Sequence, residues 1–151
     1  MPNTNLPTTI SAGSTGHISH ANTVHGEVNE LSRNTGLREV TSLLANGWTA
    51  TTVYIERVRD FTYLYLRGLD GTAATSGAFL SFSDLGTGFR PIGNSFQSAL
   101  HEDAAGEPIR LRADANNIIS PSRDWGGYNR VIVWRTTASF PAESSWPGTA
   151  V

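Results

Sequence analysis

At 151 residues the chain is long enough for one domain with an arm, and its composition (38% hydrophobic, 16% charged, 15 Gly, 7 Pro) excludes a coiled coil or helical bundle as the main architecture. Four Trp, four Tyr and six Phe can fill a small core, which argues against full disorder. A net charge of −2 provides no basic footprint for nucleic acid, the absence of cysteine removes disulfides, thiolate metal sites and thiol nucleophiles, and no apolar run approaches the ~20 residues of a membrane span.

Residues 1–18 read as an extended attachment arm. They are Pro, Asn, Thr, Ser and Gly with isolated apolar side chains at Leu6 and Ile10, and they lack the basic region and apolar stretch of a secretory signal. Such a segment cannot bury enough surface to order itself. It is expected to dock on another protein through Leu6, Ile10, His17 and His20.

Residues 19–47 read as a helical linker. Over 19–33, Ala21, Val24, Val28 and Leu31 recur at 3-4-3 spacing on one stripe, with Ser19 as N-cap and Asn34-Thr35-Gly36 as the stop. A helix of ~15 residues is marginal alone in water. The stripe therefore either packs on the chain's own β domain or forms the seam of a parallel homotrimer, and the seam is the reading adopted. The segment 37–44 (LREVTSLL) is a short helix ending at Asn46-Gly47 or an irregular strand; Leu37, Val40, Leu43 and Leu44 fit the helical period slightly better.

From Trp48 the texture turns to β, and 48–151 reads as the C-terminal domain. TTVYIERV (51–58) and FTYLYLR (61–67) form a hairpin about Arg59-Asp60. Leu64 and Leu66 share one face, and Phe61, Tyr63 and Tyr65 the other. With both faces apolar, a second sheet or neighbouring subunits should cover both sides. Further strands are expected at 78–82, 94–100, 108–113 and 129–136. Together they predict a mainly β fold, a small antiparallel β-sandwich or jelly-roll-like domain behind an extended arm and one short helix. The tail PAESSWPGTAV folds back as a plug or lies across a neighbour.

Few residues suggest chemistry. His17, His20 and His25 cluster at the helix start, where a metal would need three or four converging ligands; capping and polar docking contacts are the simpler role. His101-Glu102-Asp103 is placed on a loop, where neighbouring side chains diverge and do not make a triad. Asp114, Asn116 and Asn117 are turn formers rather than Ca²⁺ ligands. Alternation of Ile109, Arg110, Leu111 and Arg112 makes one face basic and the other apolar. No nucleotide, zincin or hydrolase motif occurs. No catalytic residue, metal or cofactor is assigned. The best binding candidate is Asp124-Trp125-Gly126-Gly127-Tyr128-Asn129: Trp125 and Tyr128 offer stacking surfaces for a glycan, with Arg123, Asp124 and Asn129 as polar partners. Its structural counterpart is burial of Trp125 in the core or in a subunit interface.

The order of several segments resembles a known class. REVTSLLANGWTATTVYIERVRDFTYLYLRGLDG, then Gly88-Phe89-Arg90-Pro91, then the WPGTAV ending is similar to the C-terminal β domain of tailed-bacteriophage surface proteins, especially in phages of actinobacteria: minor tail proteins, short fibres and head decorations. GHISHANTVHGEVNELSR resembles the His-rich linker helix ahead of such domains. All eleven basic residues are Arg, which fits a GC-rich phage. The chain departs from the pattern at Val58-Arg59-Asp60, where Val-Gly-Asn is usual. The resemblance implies a homotrimeric, non-enzymatic protein on the virion surface. The arm would then dock on a major capsid protein, as in a capsid decoration or head fibre, or on a tail or baseplate protein, as in a minor tail protein that binds a host receptor or carbohydrate. It implies neither nucleic acid nor membrane as a partner.

Overall fold

Period-2 alternation organises the structure, a computed structural model that describes residues 15–94, 96–97, 101–102, 108–109, 111–113, 116–120, 128–136 and 138–151. A helix, α1 (Thr15–Leu31), is followed by a two-residue strand, β1 (Arg38–Glu39), a 3-10 turn over Thr41–Leu43, and the hairpin strands β2 (Thr52–Val58) and β3 (Phe61–Leu69). Then come β4 (Ala78–Ser81), a one-turn helix α2 (Phe82–Leu85) and the short strands β5 (Phe96–Gln97), β6 (His101–Glu102), β7 (Pro108–Ile109), β8 (Arg112–Ala113) and β9 (Asn117–Ile119). A long strand, β10 (Tyr128–Arg135), precedes the C-terminal β11 (Thr149–Ala150).

The fold is mainly β and antiparallel. One sheet has the order β10-β3-β2-β1-β11, a second the order β4-β9-β8-β5, and β6 pairs with β7. Val53 and Ile55 from β2, Leu64 and Leu66 from β3, and Ile132 and Trp134 from β10 form one buried face of the large sheet. They share a single core with Phe79, Leu80, Leu111, Ala113 and Ile118 of the second sheet, which is a small sandwich. Rings tie the layers: Trp48 lies 5.5 Å from Phe79, and Phe82 meets Trp134 edge-on at 6.3 Å. A register shift between Ala78 and Leu80 against β9 accompanies burial of the consecutive Phe79 and Leu80, which strict alternation would separate.

Several expectations change. The helix begins at Thr15, so Ser19 lies inside it and residues 15–18 of the expected arm are helical; Ser14-Thr15 is as good a start signal in sequence as Ser19. The helix ends at Leu31 rather than Arg33; Ser32 N–H still bonds Val28 O at 3.0 Å, and Gly36 at φ +67 turns the chain, with its N–H on Asn34 Oδ1. The 37–44 segment is β1 plus a 3-10 turn, because Val40 N–H donates to Val53 O and its side chain is fully buried against the sheet. The 78–82 strand stops at Ser81, whose hydroxyl accepts from Ser83 N–H and caps α2.

The expected strand 108–113 is two, since β7 pairs with β6 while β8 pairs with β5 and β9. His101 and Glu102 belong to a strand, not a loop. Asn117 opens β9 rather than forming a turn, and pairs with Ser81. Of the expected strand 94–100, Phe96–Gln97 is a strand, while Ser95 and residues 98–100 lie outside the described residues, as do Asp103, Arg110 and Asp114.

The tail folds back on its own chain. β11 pairs with β1, Arg38 ties down the approach by donating to Pro147 O at 3.1 Å and Gly148 O at 2.8 Å, and its guanidinium sits 6.0 Å from the Trp146 ring. Gly148 has φ +61, and a Cβ there would lie 1.8 Å from Glu39 O, so only glycine fits this close approach.

Candidate functional site

The two faces of the β10-β3-β2 portion differ in kind. Its inner face carries a rank with a fully buried cation, Arg57–Thr62–Trp134, set side by side by the strand register, and a second cation, half-buried Arg130, in the rank of Val53 and Leu66. Arg57 is 2% exposed because period 2 places it on the same side as Val53 and Ile55. Its guanidinium donates to the carbonyls of Gly88, Ser139 (3.0 Å) and Ala138 (2.7 Å), and Nε donates to Arg59 O (2.8 Å). It also lies 5.0 Å from the Phe140 ring. Burial lowers its pKa; Asp60 opposes that shift and Arg33 adds to it. Every bonded partner of this cation is a backbone carbonyl, so Arg57 acts as a clamp joining the hairpin, the Gly88–Phe89 corner and the 138–140 segment. Trp134 Nε1 donates to Phe89 O (2.7 Å) at the same corner.

The outer face is a grid with three ranks that span all three strands, and with Thr52 opposite exposed Arg67 beyond them. Tyr54, Tyr65 and Val131 face one another across the strands; Glu56, Tyr63 and Val133 form the next rank; Val58, Phe61 and Arg135 form the last, beside the turn. Val131 is 57% exposed, Val133 47% and Phe61 45%. Tyr63 and Tyr65 are nearly parallel at 6.5 Å, and the Tyr65 hydroxyl donates to Glu56 Oε1. Burial, then the bond to Glu56 and that carboxylate's charge, push the Tyr65 pKa up to about 12. Arg135 faces Asp60 at 3.5 Å. Of the expected cover on both sides of the hairpin, the second sheet supplies one; on the other side three large apolar side chains are exposed among the described residues, an arrangement that marks interaction surfaces.

Helix α1 shows a second unpartnered apolar edge. Val24 is 40% and Val28 41% exposed, whereas Ala21, Asn22, His25, Gly26 and Asn29 are half-buried. On a 3.6-residue wheel the half-buried residues cluster on a mostly polar side, and the valines point away from it. That is the reverse of a surface helix lying on its own domain, and no described side chain of α1 enters the core. Leu31 is the last residue of the helix, and His17 and His20 lie in its first two turns.

The remaining candidates are dispersed. Leu6, Ile10, Arg123, Asp124 and Trp125 lie outside the described residues. Tyr128 opens β10 opposite Leu69. Asn129 is exposed at the register shift, and its Oδ1 accepts from Gly68 N–H at 2.9 Å, so its amide oxygen serves the backbone. Arg112 is exposed between buried Leu111 and Ala113. Among the described residues no group of three His, Asp or Glu side chains converges as a metal site, and no helix is long and apolar enough to cross a membrane.

The outer grid was half visible in sequence. Phe61, Tyr63 and Tyr65 stand out as a second apolar face, but Val131 and Val133 join them only through the β3–β10 register. Arg57 was missed although its parity with Val53 and Ile55 signals burial. No family model matches the chain, and neither curated proteins nor solved structures return a match.

Proposed function

We propose that this chain is a non-enzymatic structural subunit of a tailed-phage virion, a homotrimer gathered along α1, docked through its N-terminal arm and presenting its β-sandwich outward at the virion surface. The observation that supports this best is α1 itself. Its 17 residues include two Asn, two Thr, two Val and Gly26, all modest or poor helix formers. A helix of that composition gains little stability alone, and its apolar edge at Val24 and Val28 faces water. Ala21, Val24, Val28 and Leu31 follow a/d spacing, so copies packed in parallel bury this edge with knobs-into-holes contacts. The sequence resemblance to phage surface proteins supplies the setting, and a capsid decoration or head-fibre role is favoured because the chain has an arm and a head with no long shaft between them. Three arms on one assembly raise the effective concentration of each arm contact with the lattice.

The test is the stoichiometry of the chain in purified particles. A copy number in multiples of three, matching the capsid lattice, is expected. Multiples of three confined to the tail would place the protein there instead, as a minor tail or receptor-binding subunit. Absence from particles would overturn the virion assignment.

A further inference from the structure

Resting on the trimer reading, we infer that the outer face of β3 and β10, centred on Phe61, Val131 and Val133, is a second contact between copies of this chain, through which the β heads pack against one another.

Three observations point to a second copy as the occupant. First, the face adjoins the end of the seam. The chain leaving α1 is pinned to the hairpin turn by Arg59 N–H on Arg33 O (2.9 Å), by Thr35 N–H on Arg57 O (3.0 Å) and by a bridge between Asn34 and Val58. Copies gathered along α1 therefore bring their β2–β3 turns together, and Val58 and Phe61 flank that turn on this face.

Second, the end of the face beside the turn carries an opposite pair, and the one carboxylate in the next rank is engaged by a hydroxyl. Arg135 sits against Asp60, and Glu56 accepts from Tyr65. At the turn end, where Phe61 lies, a like copy meets little net repulsion. Third, its side chains suit a dry protein contact better than a sugar platform. A sugar needs unengaged donors and acceptors beside the rings, whereas the Tyr65 hydroxyl is bonded within the chain and the most exposed neighbours are valines.

The absence of native cysteine allows a clean test on the full chain. Val133→Cys is introduced alone, Ser144→Cys serves as an exposed reference, and maleimide labelling rates are measured together with the solution mass. In the oligomer, V133C is expected to label at least about tenfold more slowly than S144C, and adding Val24→Asp with Val28→Asp should yield a monomer in which both thiols label within about twofold of each other. Phe61→Cys reads the same face from the adjoining strand, should V133C itself weaken assembly. An oligomer in which V133C and F61C label as fast as S144C overturns the head-to-head contact and leaves the seam standing. An oligomer that survives the Val24/Val28 change with V133C still protected supports the head contact and removes the seam. A wild-type chain that is monomeric, with rapid labelling, overturns both.

Discussion

The two faces of the large sheet are built by the same strands, yet they carry different information. On the inner face Val53, Ile55, Leu64, Leu66, Ile132 and Trp134 are buried, and the buried cation, Arg57, is held by backbone carbonyls from two other parts of the chain. On the outer face the same alternation leaves Phe61, Val131 and Val133 exposed, beside the Arg135–Asp60 pair. A sheet with one solvated face normally shows polar residues there. The departure at these three positions is what the proposed contact between copies rests on, while the inner face specifies the fold.

The sharpest contrast comes from truncating each face. Trp134→Ala removes a buried indole and its bond to Phe89 O, and should cost about 3–5 kcal/mol of folding stability in urea titrations. Val133→Ala, one residue away and on the opposite face, should shift the same titration by no more than about 0.5 kcal/mol in the monomeric Val24→Asp, Val28→Asp background. Equal losses would erase the distinction between the faces.

Arg57→Met comes next. It leaves the carbonyls of Gly88, Ala138 and Ser139 without their donor, and an unsatisfied buried group costs about 1–3 kcal/mol, so a loss in the upper part of that range is expected. Arg57→Lys keeps the charge but loses the fork that reaches several carbonyls, and should recover only part of it.

Gly148→Ala should cost about 1–2 kcal/mol, read mainly as faster hydrogen exchange at the Val151 amide, which bonds Leu37 O, because the chain can relieve the clash by releasing β11. A global destabilisation of the Trp134→Ala size would mean that the tail is part of the folding core.

The smallest effect is a pH dependence. Tyr65 ionises near pH 12 in the folded chain against roughly 10 when unfolded, so the unfolded state loses its proton first as pH rises. The Tyr65 contribution to stability is therefore complete below about pH 10 and declines as pH rises toward about 12. Tyr65→Phe should flatten that part of the stability–pH curve, and absorbance at 295 nm should show one tyrosine fewer among the late-titrating groups.

The elements legible in sequence were those whose signal is local and long. The β2–β3 hairpin lies within two residues of its expected bounds because β-branched and aromatic residues run unbroken on both sides of Arg59-Asp60. β10 is equally clear in NRVIVWRT. β1 and β11 were not legible: each is two residues long, and they are made by pairing between positions over a hundred residues apart. β9 was obscured by Asn116-Asn117, which signals a turn until Ser81 and Leu80 supply a partner strand. The helical stripe was legible as a pattern, but its orientation was not, since whether Val24 and Val28 face the domain or the solvent depends on where Asn22, His25 and Asn29 are placed. The outer grid shows the same limit. Alternation identifies which residues share a strand face, and only register shows that two strands add to one patch.

The central claim, that this fold leaves its association surfaces open in the single chain, is tested most directly by sedimentation equilibrium of the full-length protein. Three copies of the 16.2 kDa chain, about 49 kDa in all, are expected, with loss of that species on Val24→Asp, Val28→Asp. A single species at the monomer mass across the micromolar range would contradict the account.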